Sequence, residues 1–129
     1  MADEQIKQIL KSAKTIAVVG LANSALRPSY GVAAYMQQHG YRIIPVNPMI
    51  DESLGEKSYK SLHDIPKELK IDIVDVFRRP DAVPGVVDEV IDLKLPALWL
   101  QETVVHEEAA EKARKAGISV IMDRCILKE

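Results

Sequence analysis

The sequence predicts an α/β fold in which a doubly wound, mostly parallel sheet of about five strands carries helices on both faces. Short apolar runs alternate with amphipathic segments along the whole chain, and the first run ends at a glycine just before a helix start. No repeat, low-complexity tract or linker interrupts this alternation. Strands that alternate with helices pair in parallel, and right-handed crossovers place the helices on both faces of the sheet.

The predicted strands are short apolar runs bounded by turn residues, as buried parallel strands are. They are residues 15–20, 41–48, 71–77, 96–101 and 118–123. The first run, TIAVVG, is apolar and ends in Gly20, while Asn47 and Pro48 break the second. Residues 51–69 are predicted to be mostly turns with one short helical segment.

Four helices are predicted from apolar residues that recur at helical spacing. They cover residues 3–13, 29–39, a segment that begins near Pro80, and residues 106–116. Ser29 is predicted to cap the second helix and Gly40 to end it. The third helix is expected to bury five apolar side chains: Val83, Val86, Val87, Val90 and Ile91.

Length and composition exclude several classes of protein. A chain of 129 residues predicts one domain over residues 1–129. The net charge of −2 argues against a duplex nucleic-acid binder, which usually carries an excess of basic residues. No apolar run reaches membrane-spanning length and the start resembles no signal peptide. A single cysteine, Cys125, fits a reducing compartment, so we expect a cytoplasmic protein with no membrane partner.

Five loops follow the carboxyl ends of the predicted strands. In open parallel sheets, ligands bind outside these ends at the point where the strand order reverses. The loops that face this edge begin at Gly20, Asn47, Phe77, Gln101 and Asp123. Candidate binding residues are therefore sought in these five loops.

The first loop can bind phosphate through backbone N–H groups at the start of a helix. Gly20 lets the backbone approach a ligand closely. Asn23, Ser24 and Ser29 add neutral hydrogen-bonding groups and Arg27 adds charge. The alternative is that Gly20 forms only a tight turn and Ser29 only a helix cap.

The second loop lacks a feature of nicotinamide-dinucleotide sites. Such folds usually place an acidic residue after the second strand to hold the ribose 2′-hydroxyl. Here Asn47 and Pro48 follow the strand, and no acid occurs before Asp51. Binding of NAD in the standard way is therefore disfavoured, and Asn47 with Pro48 can also be a plain turn.

The third and fourth loops supply charge and flat apolar surface. Arg78 and Arg79 follow a buried strand directly, and guanidinium groups bind phosphate bidentately or stack on a base. Phe77 and Pro80 offer apolar surfaces for that base. The alternative is a solvated arginine pair. In the fourth loop Gln101 can face a ligand, whereas Trp99 on the same strand is expected in the core.

Groups typical of catalysis are few. His39 is expected to pack or to cap a helix end, His63 lies in a turn, and His106 begins a helix. No spacing of histidines or cysteines predicts a zinc site, and no metal is expected. Cys125 with a distant histidine can form a nucleophilic pair, but a buried thiol at the end of the fifth strand is the simpler interpretation.

Several motifs in chain order resemble those of the small coenzyme A-binding protein family. The matching motifs are VVGLA with RPSYGVA, GYRIIPVNP, SYKSLHDIP, VDVFRRP, LWLQ and DRC, which run from residue 18 to 125. The family's domain is similar to the nucleotide-binding N-terminal domain of the succinyl-CoA synthetase α subunit. The resemblance implies a Rossmann-like domain that binds coenzyme A across its carboxyl edge.

The resemblance also implies roles for individual residues. Contact with phosphate is implied for Gly20, Ala22, Asn23 and Ser24, and contact with the nucleotide for Asn47, Pro48, Phe77, Arg78, Arg79 and Pro80. Gln101 then lies towards the pantetheine arm, and Arg27 and Tyr30 in the first loop complete the candidate ligand-binding set. The synthetases carry their phosphorylated histidine in another domain, which this chain lacks, so ligase activity is not implied.

Three hypotheses for function follow. The first is a non-catalytic module that binds coenzyme A or acyl-CoA, such as a carrier, a sensor or a partner subunit; the sequence does not specify a protein partner. The second is an enzyme that acts on an acyl-CoA through Cys125 or His106. The third is a binder of another nucleotide such as NAD or FAD, against which the missing acid after the second strand counts.

Overall fold

The computed structural model describes residues 3–126. The helices are α1 Asp3–Ser12, α2 Pro28–Gln38, α3 Val83–Asp92 and α4 Glu107–Lys115. The strands are β1 Thr15–Val19, β2 Arg42–Val46, β3 Glu52–Ser53, β4 Glu56–Lys57, β5 Ile73–Val76, β6 Ala97–Leu100 and β7 Ser119–Ile121. Two short 3₁₀ turns occupy Leu62–Asp64 and Pro80–Ala82.

Five strands form one parallel sheet in the order β2-β1-β5-β6-β7. The chain moves outward from β1 to β2 and then returns to the other side of β1 with β5. The strand order therefore reverses between β1 and β5, which is the position where ligands bind in such sheets. The predicted fold class, a Rossmann-like doubly wound sheet, is confirmed.

The helices divide between the two faces of the sheet, and each face has its own core. On one face Ile6 and Leu10 of α1 and Met36 of α2 pack with alternate residues of the strands. On the other face the buried side of α3 packs with the alanine stripe of α4. Trp99 is buried in the first core, as expected, and four predicted α3 residues are buried in the second: Val83, Val86, Val87 and Val90.

The strands are shorter than the apolar runs that predicted them. The third predicted strand covered residues 71–77, but the ladder contains only Ile73–Val76. Asp72 turns its carboxylate towards the start of β1, where it accepts hydrogen bonds from the backbone N–H groups of Lys14 at 2.9 Å and Thr15 at 3.0 Å. A side chain before the strand thus aligns the amino ends of two neighbouring strands.

The predicted cap of α2 is wrong. Arg27, not Ser29, is the residue before the helix, and its extended backbone leads into Pro28 at the first helical position. Proline suits that position because its missing N–H has no partner there in any helix. The Ser29 hydroxyl instead accepts a hydrogen bond from the Ala22 N–H at 3.1 Å, which fastens the β1–α2 loop to the helix.

A small antiparallel hairpin was not predicted in the segment after β2. It pairs Glu52 with Lys57 and Ser53 with Glu56 around Leu54 and a glycine. The strands are two residues long and carry no period that a sequence pattern can reveal. Within residues 3–126, the helices are all too short or too polar to cross a membrane.

Candidate functional site

A cavity of about 620 Å³ opens at the carboxyl edge of the sheet where β1 and β5 diverge. The structure brings to it residues from four of the five predicted loops, all but the loop that begins at Asn47. The predicted residues that line it are Gly20, Arg27, Phe77, Arg78, Arg79, Pro80 and Gln101. Ser29, which was predicted to add a hydrogen-bonding group to the first loop or only to cap a helix, also lines it. Residues that were not predicted as ligand contacts line it as well: Pro28, Val32, Glu102, Thr103, Val104 and Cys125.

Gly20 is placed where no other residue fits. Its φ is +90°, and a methyl group at its Cα would overlap the backbone carbonyl oxygen of Phe77. The sheet fixes the loops after β1 and β5 next to each other. The Gly20 N–H donates to the Val46 carbonyl and the Phe77 N–H donates to the Val19 carbonyl, both at 2.8 Å. Gly20 lines the cavity without a side chain, so a ligand can approach the backbone closely at this position.

The amino end of α2 forms one wall of the cavity. Pro28 and Ser29 line it, and the first turn of the helix contains no acidic residue. The N-terminus of an 11-residue helix carries a partial positive charge and attracts anions. This wall therefore favours a negatively charged ligand group.

Basic side chains dominate the charge around the cavity. Arg27, Arg78 and Arg79 line it as exposed residues, and one acidic residue, Glu102, lies with them. This local excess of positive charge contrasts with the net charge of −2 for the chain. A guanidinium binds phosphate or carboxylate groups bidentately, so this end of the cavity suits an anionic ligand.

Asn47 connects the first two loops instead of lining the cavity. Its side-chain amide donates to the Leu21 carbonyl at 3.1 Å, and its side-chain carbonyl oxygen accepts from the Met49 N–H at 2.9 Å. The Ser53 hydroxyl adds a second connection by donating to the Ala22 carbonyl at 2.8 Å. Both loops are therefore cross-braced beside the site.

The other predicted binding residues lie beside the cavity and do not line it. Pro48 and Asn23 are exposed, Tyr30 is half-buried, and the Ser24 hydroxyl accepts from the Leu26 N–H at 3.3 Å. The Ala22 N–H already donates to Ser29. Ligand contact by these residues, and by Asn47, stays a prediction that rests on the resemblance.

Gln101 is held at the cavity by a buried carboxyl group. Its Nε2 donates to Oδ1 of Asp75, and its Oε1 accepts from the Ile126 N–H at 3.4 Å. Asp75 is 2% exposed and Gln101 4%. Burial raises the pKa of Asp75 to about 7, although the hydrogen bond from Gln101 opposes this rise.

Cys125 lines the cavity and is half-buried, so the expectation of a buried thiol at a strand end is wrong. β7 already ends at Ile121. The following segment crosses back over β6, where the Trp99 indole N–H donates to the Arg124 carbonyl at 2.8 Å and Ile126 bonds to Gln101. These two anchors flank Cys125 and fix its position.

The three histidines are not among the residues that line the cavity in the described part of the chain. His39 ends α2, where its Nδ1 lies 2.9 Å from the Tyr35 carbonyl oxygen. His63 contacts the carboxylates of Glu89 and Asp92. His106 caps α4, and its Nδ1 accepts from the Ala109 N–H at 3.1 Å.

Asp75 is a buried carboxyl group next to the site that was not among the predicted site residues. The sequence does indicate that Asp75 is unusual. It is the one acidic residue in the apolar centre of the third predicted strand, at a position that the strand pattern buries. No sequence pattern of this kind indicates that Cys125 and residues 102–104 line the cavity. Their place at the cavity depends on how the last loops fold over the sheet.

Comparison with known proteins agrees with this geometry. Residues 14–129 match the family model described as a CoA binding domain. Over 122 residues the chain is 48% identical to the uncharacterized protein YneT of Bacillus subtilis, covering 95% of this chain and 89% of that one. A solved structure from Thermus thermophilus, cell-free ID.343, superposes with a TM-score of 0.92 at 40% identity, covering 99% of this chain and 96% of that one.

A more distant relative is an acetate–CoA ligase. The chain is 35% identical over 78 residues to the ADP-forming acetate–CoA ligase II of Archaeoglobus fulgidus, covering 59% of this chain but 11% of the ligase. The chain thus corresponds to a small part of that enzyme. With the family model matched over 14–129, the protein belongs to the family of CoA binding domains.

Proposed function

We propose that this protein binds coenzyme A or an acyl-CoA as a non-catalytic module, with the chain acting as one binding domain. The observation that carries this proposal is the cavity at the carboxyl ends of β1 and β5, which is lined by three arginines, the amino end of α2 and Gly20. Membership of the CoA binding family supports the choice of ligand. The cavity of about 620 Å³ lies within the range usual for small-molecule sites.

The charge of coenzyme A matches the uneven charge of the cavity. The ligand carries a diphosphate, a ribose 3′-phosphate and a long uncharged pantetheine arm. The amino end of helix α2 offers the Ser29 N–H and the positive end of the helix dipole for the diphosphate, because Pro28 has no N–H and the Tyr30 N–H already donates to the Arg27 carbonyl. The guanidinium groups are then left for the remaining phosphate. Phe77 and Pro80, which line the cavity on either side of the arginine pair, offer apolar surface for the adenine base.

The direct test is to add coenzyme A or NAD at equal micromolar concentration and to measure the melting temperature of the protein. A ligand that binds only the folded state stabilises it by about 2.7 kcal/mol at a hundredfold excess over its dissociation constant. We expect a clear rise with coenzyme A and a much smaller rise with NAD. Equal rises would contradict the proposal, and mass spectrometry of any nucleotide released from the denatured protein gives an independent check.

A second candidate function is an enzyme that acts on an acyl-CoA. The position of Cys125 at the cavity favours it, because a thiol there is near any bound thioester. However, no histidine lines the cavity within residues 3–126, so the thiol has no neighbouring imidazole base. Intact-mass measurement after incubation with acetyl-CoA separates the two functions: an acetyl adduct that Cys125→Ala abolishes would establish the enzyme.

A further inference from the structure

The cavity has two chemically different ends. Arg27 and Arg78 lie at the end formed by the β1 and β5 loops, whereas Gln101, Glu102 and Thr103 lie at the end formed by the β6 loop. A phosphate group is attracted to the first end by the guanidinium groups. If the ligand is coenzyme A, its uncharged arm therefore extends towards Gln101.

Two hydrogen-bond partners, Ile126 and Asp75, require the same orientation of the Gln101 amide. Ile126 presents an N–H, which requires the amide oxygen on its side. Asp75 presents a carboxyl oxygen on the opposite side, which requires the amide nitrogen there. A flipped amide would place two N–H donors against each other at Ile126, so only one orientation satisfies both contacts.

The Gln101 amide nitrogen can donate a second hydrogen bond. The amide nitrogen carries two hydrogens, and within residues 3–126 it donates one hydrogen bond, to Asp75. Gln101 also lines the cavity. Asp75 accepts the hydrogen bond whether its carboxyl group is ionised or protonated, because a carbonyl-type oxygen is present in both forms.

We propose that Asp75 is a positioning residue that holds the Gln101 amide as a hydrogen-bond donor to the pantetheine arm. The site would thereby recognise a carbonyl oxygen of that arm, in an amide or in the thioester of an acyl-CoA. Asp75 does not contact the ligand and acts through Gln101. This inference rests on the proposed binding of coenzyme A.

The test compares two ligands on four proteins by titration calorimetry. Coenzyme A contains the pantetheine arm, and adenosine 3′,5′-bisphosphate shares its nucleotide but lacks the arm. The proteins are the parent, Asp75→Asn, Asp75→Val and Gln101→Glu. Asparagine keeps an acceptor for Gln101, valine removes it, and glutamate at position 101 keeps the acceptor for Ile126 but replaces the N–H donor by oxygen.

We expect Asp75→Val and Gln101→Glu to weaken coenzyme A by about tenfold, the value of one lost hydrogen bond to a desolvated group. Both should bind the bisphosphate within about twofold of the parent, since neither change touches the arginine end. Asp75→Asn should bind both ligands nearly as the parent does. Melting curves establish whether each variant is folded. If Asp75→Val does not fold, the affinities of Gln101→Glu decide the test.

Two results would overturn the inference. Coenzyme A affinity equal to the parent's in folded Asp75→Val or in Gln101→Glu would show that the donor is not used. Equal weakening of both ligands would make Asp75 a general structural residue. Failure of the parent itself to bind coenzyme A would instead refute the proposed function.

Discussion

Gly20 and Phe77 meet at the point where β1 and β5 diverge, and the α-carbon of the glycine faces the backbone carbonyl oxygen of the phenylalanine. The sheet fixes both residues through hydrogen bonds of 2.8 Å to the neighbouring strands. Neither loop can retreat without breaking the ladder. The contact therefore fixes the spacing of the two loops at the edge of the cavity.

Gly20→Ala should destabilise the protein more than an alanine at an open glycine with the same backbone. Gly117 is the matched control, because its φ of +88° resembles the +90° of Gly20 but nothing lies within 4 Å of its added methyl group. Each change costs about 1–2 kcal/mol for the left-handed backbone. Gly20→Ala adds the overlap with Phe77, and chemical denaturation of both variants should reveal a larger loss for Gly20→Ala. Equal losses would mean that the loops shift freely.

Arg78→Ala combined with Arg79→Ala should weaken coenzyme A by at least about tenfold, because a charge-assisted contact contributes about 1.5–3 kcal/mol. The melting temperature should stay near that of the parent, as both side chains are exposed. Calorimetry with coenzyme A and dephospho-coenzyme A should also reveal reduced discrimination between them.

Lys67→Ala with Lys70→Ala is the matched control for the arginine pair. It also removes two exposed positive charges, but from the loop before β5, at the opposite edge of the sheet. This variant should bind coenzyme A nearly as the parent does. If both double variants lose the same affinity, the arginines act only through net charge. Equal weakening of both ligands by the arginine variant would place that pair on the diphosphate or the base.

Asp75 should make the stability of the protein fall as pH rises. Its pKa is about 7 in the folded protein, against an ordinary value of 3.8, so between these values the folded state holds a proton that the unfolded state has lost. The free energy of unfolding therefore falls as pH rises from about 4 to about 7, and it does not change further above pH 7. The total fall is about 1.4 kcal/mol for each unit by which the folded and unfolded pKa values differ. In Asp75→Asn, urea denaturation should detect a flatter dependence from about pH 4 to pH 7. If stability depends on pH equally in Asp75→Asn and in the parent, the raised pKa of Asp75 is refuted.

His63 should stabilise the protein at acidic pH. The hydrogen bond to Asp92 and the nearby Glu89 raise the pKa of His63 above its ordinary value of 6.5. A raised pKa means that the contribution is complete below 6.5 and is lost as pH rises through the folded value. His63→Gln should therefore be less stable than the parent near pH 5.5 and close to it near pH 9. His39→Gln is the control, because the ion pairs of residues 3–126 do not include His39. A similar loss of stability at acidic pH in His39→Gln would show that the effect does not come from the ion pairs of His63.

The sequence by itself determined the elements and the edge that carries the site. Apolar runs of the right length predict strands, and helical spacing predicts the helices between them, because both patterns arise from residues a few positions apart. The position of Gly20 and of the arginine pair after predicted strands followed from the same patterns. Ser29 was misassigned as a cap since its partner, Ala22, lies in the preceding loop.

The tertiary structure decided which of these residues meet. Asp75 and Gln101 are 26 positions apart, and their contact requires β5 and β6 to be neighbours with a fixed register. Cys125 reaches the cavity because Trp99 and Gln101 anchor the residues on either side of it. Asn47, predicted at the ligand, braces two loops through contacts that its sequence position did not indicate. Such contacts depend on strand order and on the path of loops, which no local pattern specifies, since they are set when distant segments bury their apolar faces together.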